Sequence, residues 1–159
     1  MSARKPLVNV GGEITELPAG DTLDASANEV DVVTMSNANA APITKGMAVY
    51  IQGAGAVDLA RANASGTKKV LGLVRAASIA AAATGSIQTN GILSSSDWTD
   101  VVGGASLTAG AQYYLSSTTA GQLTTTAPSS AGTFVAPVGV ALNNTDLQIN
   151  ISPLTIEKT

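Results

Sequence analysis

Asp97, Trp98 and Asp100 are the most site-like residues of the sequence, because they place the only tryptophan and two carboxylates within one short stretch. A Trp ring flanked by acids is a platform on which a sugar stacks, and two carboxylates on opposite sides of a glycosidic bond hydrolyse it. These two acids are too close in sequence to predict opposite faces of a substrate. A Trp that anchors a loop needs no ligand, and we favour that interpretation of Trp98 over a ligand contact.

The absence of His and Cys excludes several kinds of chemistry. A Ser/His/Asp triad, an imidazole zinc site, a thiol nucleophile and a disulfide framework all need one of these residues. Asp21, Asp24, Glu29 and Asp31 lie near one another, but their spacing misses the alternating ligands of a calcium loop. The Gly-x-Gly at Gly53 lacks the helix and the downstream acid of a dinucleotide site. We therefore expect no enzyme, no cofactor and no metal.

Charge and hydropathy exclude two classes of partner. The chain carries 8 basic and 11 acidic residues, which are scattered and form no basic stripe for nucleic acid. The pair Lys68-Lys69, next to Gly66, is typical of a solvated turn. No window approaches the roughly 20 apolar residues that span a bilayer, and residues 1–12 lack the apolar core of a secretory signal. We expect synthesis in a cytoplasm and neither nucleic acid nor membrane as a partner.

Residues 1–35 predict an extended N-terminal arm. Short apolar alternations on either side of Gly11-Gly12 favour two strands joined by a tight turn, that is, a β-hairpin. Such an arm is too short to fold alone, so we expect it to lie on the body or on a neighbouring subunit. The candidate contact residues are Lys5, Pro6, Leu7, Val8, Val10, Ile14 and Leu17.

Residues 36–159 contain an internal repeat. Ile43-Thr44-Lys45-Gly46 followed by Tyr50-Ile51 matches Leu107-Thr108-Ala109-Gly110 followed by Tyr114-Leu115. Glycine-marked positions then recur in the same order, which indicates a duplication with repeat one at about 43–93 and repeat two at about 107–152. Tyr50 and Tyr114 are repeat equivalents, which favours a packing role for them.

The spacing of short strands and turn signals predicts an all-β fold, a small β-sandwich or barrel built from the duplication. Each repeat is predicted to end in a closing strand, over 86–93 and 147–151. A body of this size buries little apolar area per strand. Association into a homo-oligomer covers edges and apolar faces that one chain leaves open.

Two stretches of the chain resemble a known class of proteins. Lys5-Pro6-Leu7-Val8-Asn9-Val10, with Gly12-Glu13-Ile14 and residues 17–23, resembles the start of tailed-bacteriophage virion proteins. Residues 107–116, Gly121-Gln122-Leu123-Thr124 and Val138-Gly139-Val140-Ala141 resemble repeats of phage head-decoration, head-fibre and tail-fibre proteins. Together these matches cover most of the chain.

The resemblance implies an all-β capsid decoration (cement) or head-fibre protein on the outside of a capsid, with the major capsid protein as its partner. It also implies self-association, with a trimer favoured over a dimer. The alternative is a tail-fibre or collar module that binds a host surface glycan through Trp98 and the tyrosines. A glycan hydrolase that uses Asp97 and Asp100 ranks last.

Overall fold

A computed structural model describes residues 7–10, 13–16 and 30–159, which are nearly all strand and turn. The first elements are β1 (Leu7–Val10), β2 (Glu13–Glu16), β3 (Val32–Asn37), β4 (Ile43–Thr44), β5 (Ala48–Gly53) and β6 (Ala56–Leu59). They are followed by β7 (Val70–Val74), β8 (Ser78–Ile79), β9 (Thr84–Gln88), β10 (Gly91–Ser94) and the one-turn helix α1 (Thr99–Val102). The last strands are β11 (Gln112–Leu115), β12 (Leu123–Thr124), β13 (Phe134–Val135), β14 (Pro137–Ala141), β15 (Asp146–Ile149) and β16 (Ile156–Glu157). The predicted all-β class is confirmed.

Five strands close into a small barrel in the order β3-β6-β5-β7-β9. The closing pair, β3 with β6, is parallel, whereas the other pairs are antiparallel. Side chains alternate along a strand, so every second residue points into the barrel. The interior is a small aliphatic cluster of fully or almost fully buried residues: Ile43, Val49, Val57, Val74, Ile79 and Ile87.

A second sheet of five antiparallel strands has the order β10-β15-β14-β11-β12. The barrel has the same order when it is opened between β3 and β6, with β10 in the place of β3 and β12 in the place of β6. No ladder joins β10 to β12 among the described residues, so only the first of the two sheets is closed.

The two sheets also correspond in their irregularities. The register of β5 against β7 shifts between Val49 and Tyr50, and that of β11 against β14 shifts between Tyr113 and Tyr114. Gly46 and Gly110 both adopt a positive φ, +86° and +76°. The backbone N–H of each glycine donates to the carbonyl oxygen of the last residue of a strand, Val74 O and Ala141 O, at 2.8 Å in both cases.

Gly72 and Gly139 show why glycine recurs at one position of each sheet. A Cβ at Gly72 would collide with the carbonyl oxygen of Gln88, and a Cβ at Gly139 would collide with that of Gln148. Both collisions involve backbone of the neighbouring strand, which cannot move aside without breaking its ladder. Only glycine allows the two strands to approach this closely.

One core and several backbone hydrogen bonds join the barrel to the second sheet. Ala48, Ala60, Ala62 and Leu73 from the first half of the chain pack in the same buried cluster as the interior of the second sheet. Gly121 N–H donates to Ala60 O at 2.7 Å, and Ala62 N–H and Ser116 O lie 2.9 Å apart. The two sheets therefore pack as one unit.

Two predicted boundaries differ from the structure. The closing strand expected over 86–93 is two strands, because β9 ends at Gln88 in the barrel and β10 starts at Gly91 in the second sheet. Residues 32–35, which we assigned to the arm, lie in β3 of the barrel. The strands expected on either side of Gly11-Gly12 are present, since β1 and β2 pair antiparallel with Val10 opposite Glu13.

Candidate functional site

Trp98 is buried between the two sheets, with 1% of its surface exposed. Its indole Nε1–H donates to the carbonyl oxygen of Thr145 at 3.1 Å. A Cβ added at Gly46 would lie 2.9 Å from the six-membered ring, so the ring packs directly against the barrel. The apolar surface of the ring is packed inside the protein, and the indole N–H has its hydrogen-bond acceptor there. The ring therefore offers no face on which a sugar stacks.

The segment that carries Trp98 is longer than its counterpart in the barrel. Residues 95–106 lie between β10 and Leu107, the counterpart of Ile43, whereas only residues 38–42 lie between β3 and Ile43. This longer connection contains α1, which begins after Trp98, contacts β12 and buries Val101. The helix ends at Gly103, which adopts the left-handed conformation with φ 72°. Trp98 and Val101 of this segment are both buried in the core that the two sheets share.

The two carboxylates beside Trp98 serve separate local contacts. Asp97 accepts hydrogen bonds from Thr99 Oγ1 at 2.7 Å and from Thr99 N–H at 2.9 Å. The hydroxyl bond, followed by the backbone bond, holds the pKa of Asp97 below its usual 3.8. Asp100 Oδ2 accepts from Thr44 Oγ1 at 2.9 Å, which ties α1 to β4. Both acids are exposed, and neither is paired with the other.

A shallow cleft of about 260 Å³ lies beside these acids and is lined by Thr44, Lys45, Ser95, Asp97 and Asp100, among others. A general acid requires a carboxyl group whose pKa is raised towards neutrality. The pKa of Asp97 moves in the opposite direction. Asp97 therefore does not have the property that a general acid needs.

The tyrosines occupy packing positions. Tyr113 is 2% exposed, and its hydroxyl oxygen accepts the backbone N–H of Thr108 at 2.9 Å. Tyr50 and Tyr114 are half-buried and stand next to the matching register shifts of the two sheets. Neither Tyr113 nor Trp98 presents a ring to solvent, so they do not form an aromatic platform together.

The candidate contact residues of the arm are only partly described. Lys5, Pro6 and Leu17 lie outside the described residues. Leu7, Val8 and Val10 lie in β1, and Ile14 lies in β2, opposite Asn9. Of the four acids weighed as a calcium site, only Asp31 is described. Within the part of the chain that the structure describes, no group of three acidic, His or Cys side chains is placed to hold a metal ion.

A groove of about 420 Å³ is the feature that the sequence did not reveal. Its apolar lining comes from Val70, Ala136, Pro137, Ile151 and Pro153, and its cationic lining comes from Lys68 and Lys69. We interpreted the two lysines as a solvated turn, but they form one wall of this groove. The other wall is the C-terminal segment 151–155, which is far away in the sequence, so no local pattern could identify the pair of walls.

The same part of the surface continues over the barrel. A second depression of about 270 Å³ shares Lys69 and Val70 with the groove and adds Tyr50, Ile51 and Leu71. Ile51 is 57% exposed, and on the C-terminal segment Leu154 and Ile156 are 80% and 65% exposed. Large apolar side chains thus remain uncovered on both sides of the groove.

Comparisons with known proteins give no family for the chain: no protein-family model matches it, and no curated protein sequence matches it. Among the residues that the structure describes, no helix has the length and apolar character needed to cross a bilayer.

Proposed function

We propose that this protein is a structural component of a tailed-phage virion that decorates the outer surface of the capsid and cements neighbouring capsid subunits. The observation that carries the proposal is the state of Trp98. The most site-like group in the sequence is a buried anchor with its own hydrogen bond, while large apolar side chains stay exposed elsewhere. This division suits a protein whose work is contact with partners, and it agrees with the resemblance of residues 107–116 to phage decoration proteins.

The body is, in this proposal, the product of an internal duplication. The support is the shared strand order of the two sheets, their matching register shifts, and the glycines Gly72 and Gly139 at the same close approach between strands. Unrelated sheets have no reason to share a register shift next to an equivalent tyrosine. Two fused copies give one chain two similar surfaces, which suits binding to a repeating lattice of capsid subunits.

The mechanism is mechanical. Each copy on the shell contributes an interface that must exceed roughly 1,000 Å² of buried area to be stable by itself. Many such contacts are linked through the shell. A subunit that is bound at one contact has a high local concentration at the next contact, so the linked contacts bind more tightly than one contact alone. Homo-oligomers, with a trimer favoured, would increase this number of contacts. The shell is then stiffer against the pressure of packaged DNA.

The part of the arm that precedes β3, residues 1–31, is the proposed capsid or inter-subunit contact. The ladders of β3 to β16 pair only with one another, so the barrel and second sheet do not depend on β1 or β2 for strand pairing. Deletion of residues 1–20 should therefore abolish binding to capsids or oligomerisation while the body stays folded. Circular dichroism and a pelleting assay with heads measure the two properties separately.

A control for that deletion is the full chain with Leu142→Ala, which changes an exposed side chain directly after β14. This variant should bind like the wild type. Unchanged binding by the deletion variant would overturn the role assigned to the arm. The glycan-binding alternative has no observation in its favour among the described residues, because Trp98, its main contact, is buried.

A further inference from the structure

We propose that the groove beside Lys68 and Lys69 is the docking site for residues 17–29 of the same chain, the acidic segment of the arm between β2 and the barrel. This inference does not rest on the proposed function, since it concerns only how the chain binds part of itself. Its support comes from the charge of the groove, the composition of the segment and the direction in which the chain enters the barrel.

The groove offers cations around an apolar floor. Lys68 holds its Nζ 3.7 Å from the centre of the Phe134 ring, a cation–π contact that fixes the ammonium group at the groove wall. Lys69 is exposed and lies where the groove meets the depression next to Ile51. None of the described residues that line either cavity is acidic. A ligand that fits this surface carries carboxylates and at least one apolar side chain.

The C-terminal segment forms a fixed second wall. Asn150 N–H donates to Val138 O at 2.8 Å, and Ser152 N–H donates to Pro137 O at 3.3 Å. These bonds continue the pairing along β14 beyond the end of β15. The Ser152 hydroxyl also bonds the backbone of Leu154, which closes a tight turn. The C-terminal wall of the groove is therefore anchored by backbone hydrogen bonds to β14 and by its own turn.

Residues 17–29 have the complementary composition. They contain the carboxylates of Asp21, Asp24 and Glu29, the apolar side chains of Leu17 and Leu23, and no Lys or Arg. Five carboxylates of the chain lie before residue 30, as the acidic residues Glu13 and Glu16 of β2 precede those three. Opposite charges that approach over a partly apolar surface attract each other and are screened by salt.

The topology brings the segment to the groove. Val32 of β3 and Leu73 of β7 both pair with Gln88, one on each side of β9. Both strands run antiparallel to β9, so they start at the same end of the barrel. Val70 lies two strand spacings across the barrel wall from Val32, and three residues along β7 from Leu73. It is therefore about 15 Å from the start of β3, a distance that about five extended residues span. The residues just before position 30 can therefore reach the groove of their own chain.

Carbodiimide cross-linking of the full-length protein tests the proposal, because this reagent joins a lysine to a carboxylate only when they are in contact. We expect mass spectrometry to find links from Lys68 or Lys69 to Asp21, Asp24 or Glu29. Lys45, which lines the separate cleft beside Asp97, is the internal control and should give at least several-fold fewer links to the segment. Equal linking to Lys45, Lys68 and Lys69, or no links to the segment, would overturn the proposal.

A mixture of unlabelled and ¹⁵N-labelled protein shows which chain supplies the segment. The proposal predicts cross-linked pairs that are entirely light or entirely heavy. Hybrid pairs in the proportion expected from random mixing would assign the groove to the segment of a second copy and would overturn docking within one chain.

A second readout uses charge reversal. The double variant Lys68→Glu/Lys69→Glu should be cleaved several-fold faster within residues 17–29 by a protease specific for acidic residues. Arg75→Glu, which reverses an exposed cation outside the groove, is the matched control and should be cleaved at the wild-type rate. Adding Asp21→Lys and Asp24→Lys to the double variant gives the segment and the groove opposite charges again. The rate of cleavage after Glu29 should therefore fall again. Equal cleavage of the wild type and the double variant would contradict the proposal.

Discussion

Replacement of Trp98 tests whether this residue is an anchor or a ligand contact. The side chain is 1% exposed, and its ring fills the space between Gly46 of the barrel and the carbonyl of Thr145. Truncation of a buried Trp or Phe to Ala typically costs about 3–5 kcal/mol. The lost Nε1–H bond, worth about 1 kcal/mol, is part of that cost. We expect Trp98→Ala to lose about 4 kcal/mol and Trp98→Phe, which keeps most of the volume, to lose about 1–2 kcal/mol.

Urea unfolding followed by circular dichroism measures these losses, since the variants have no tryptophan fluorescence. With an m-value of about 2 kcal/mol/M, a loss of 4 kcal/mol lowers the midpoint by about 2 M urea. The matched control is Leu154→Ala, which truncates a side chain that is 80% exposed and should change the stability by less than about 0.5 kcal/mol. The reasoning is refuted if Trp98→Ala unfolds at the same urea concentration as the wild type.

Two further predictions concern the glycines of the paired sheets and the acid next to Trp98. Gly72→Ala and Gly139→Ala should each destabilise the protein by about 1–3 kcal/mol or prevent folding, because the new Cβ meets backbone, whereas Gly104→Ala, with open space around it, should be nearly neutral; thermal unfolding compares all three. Hydrogen bonds from Thr99 lower the pKa of Asp97. The ionised carboxylate of Asp97 therefore contributes stability that is present above the unfolded-state pKa and is lost as the pH falls through the folded-state pKa. Asp97→Asn should therefore show a weaker fall of stability below about pH 4 than the wild type, and identical pH profiles would contradict this assignment.

The corresponding order of the strands in the two sheets could be predicted from the sequence because backbone constraints select particular residues. Gly46 and Gly110 have positive φ, and Gly72 and Gly139 stand where a neighbouring strand leaves no room for a Cβ. Glycines at such positions recur with little drift, so they reveal the order of the strands even where the side chains between them differ.

The closure of the barrel could not be predicted in the same way. The parallel pairing of Ser36 with Ala56 joins strands that are distant in sequence, and the hydrophobic alternation of each strand is the same whether the sheet is open or closed. The change of sheet after Gln88 was missed for a related reason. We predicted one continuous strand over 86–93, and the pairing partners that divide it between β9 and β10 are distant in the sequence.

The role of Trp98 was open in the sequence because exposure is a tertiary property. A Trp between two acids is compatible with a sugar platform and with a loop anchor, and the sequence does not show that the ring is buried against Gly46. The groove could not be predicted because its walls, at Lys68-Lys69 and at 151–155, are brought together only by the pairing of the C-terminal segment with β14.

Co-sedimentation of the purified protein with mature phage heads that lack it tests the proposed function most directly, with host cells as the parallel sample. The proposal predicts saturable binding to heads, at a ratio fixed by the number of capsid subunits, and no binding to cells. Trp98→Phe should bind heads as well as the wild type at a temperature where both are folded. Binding to cells and not to heads would contradict the decoration role and would assign the protein to the tail.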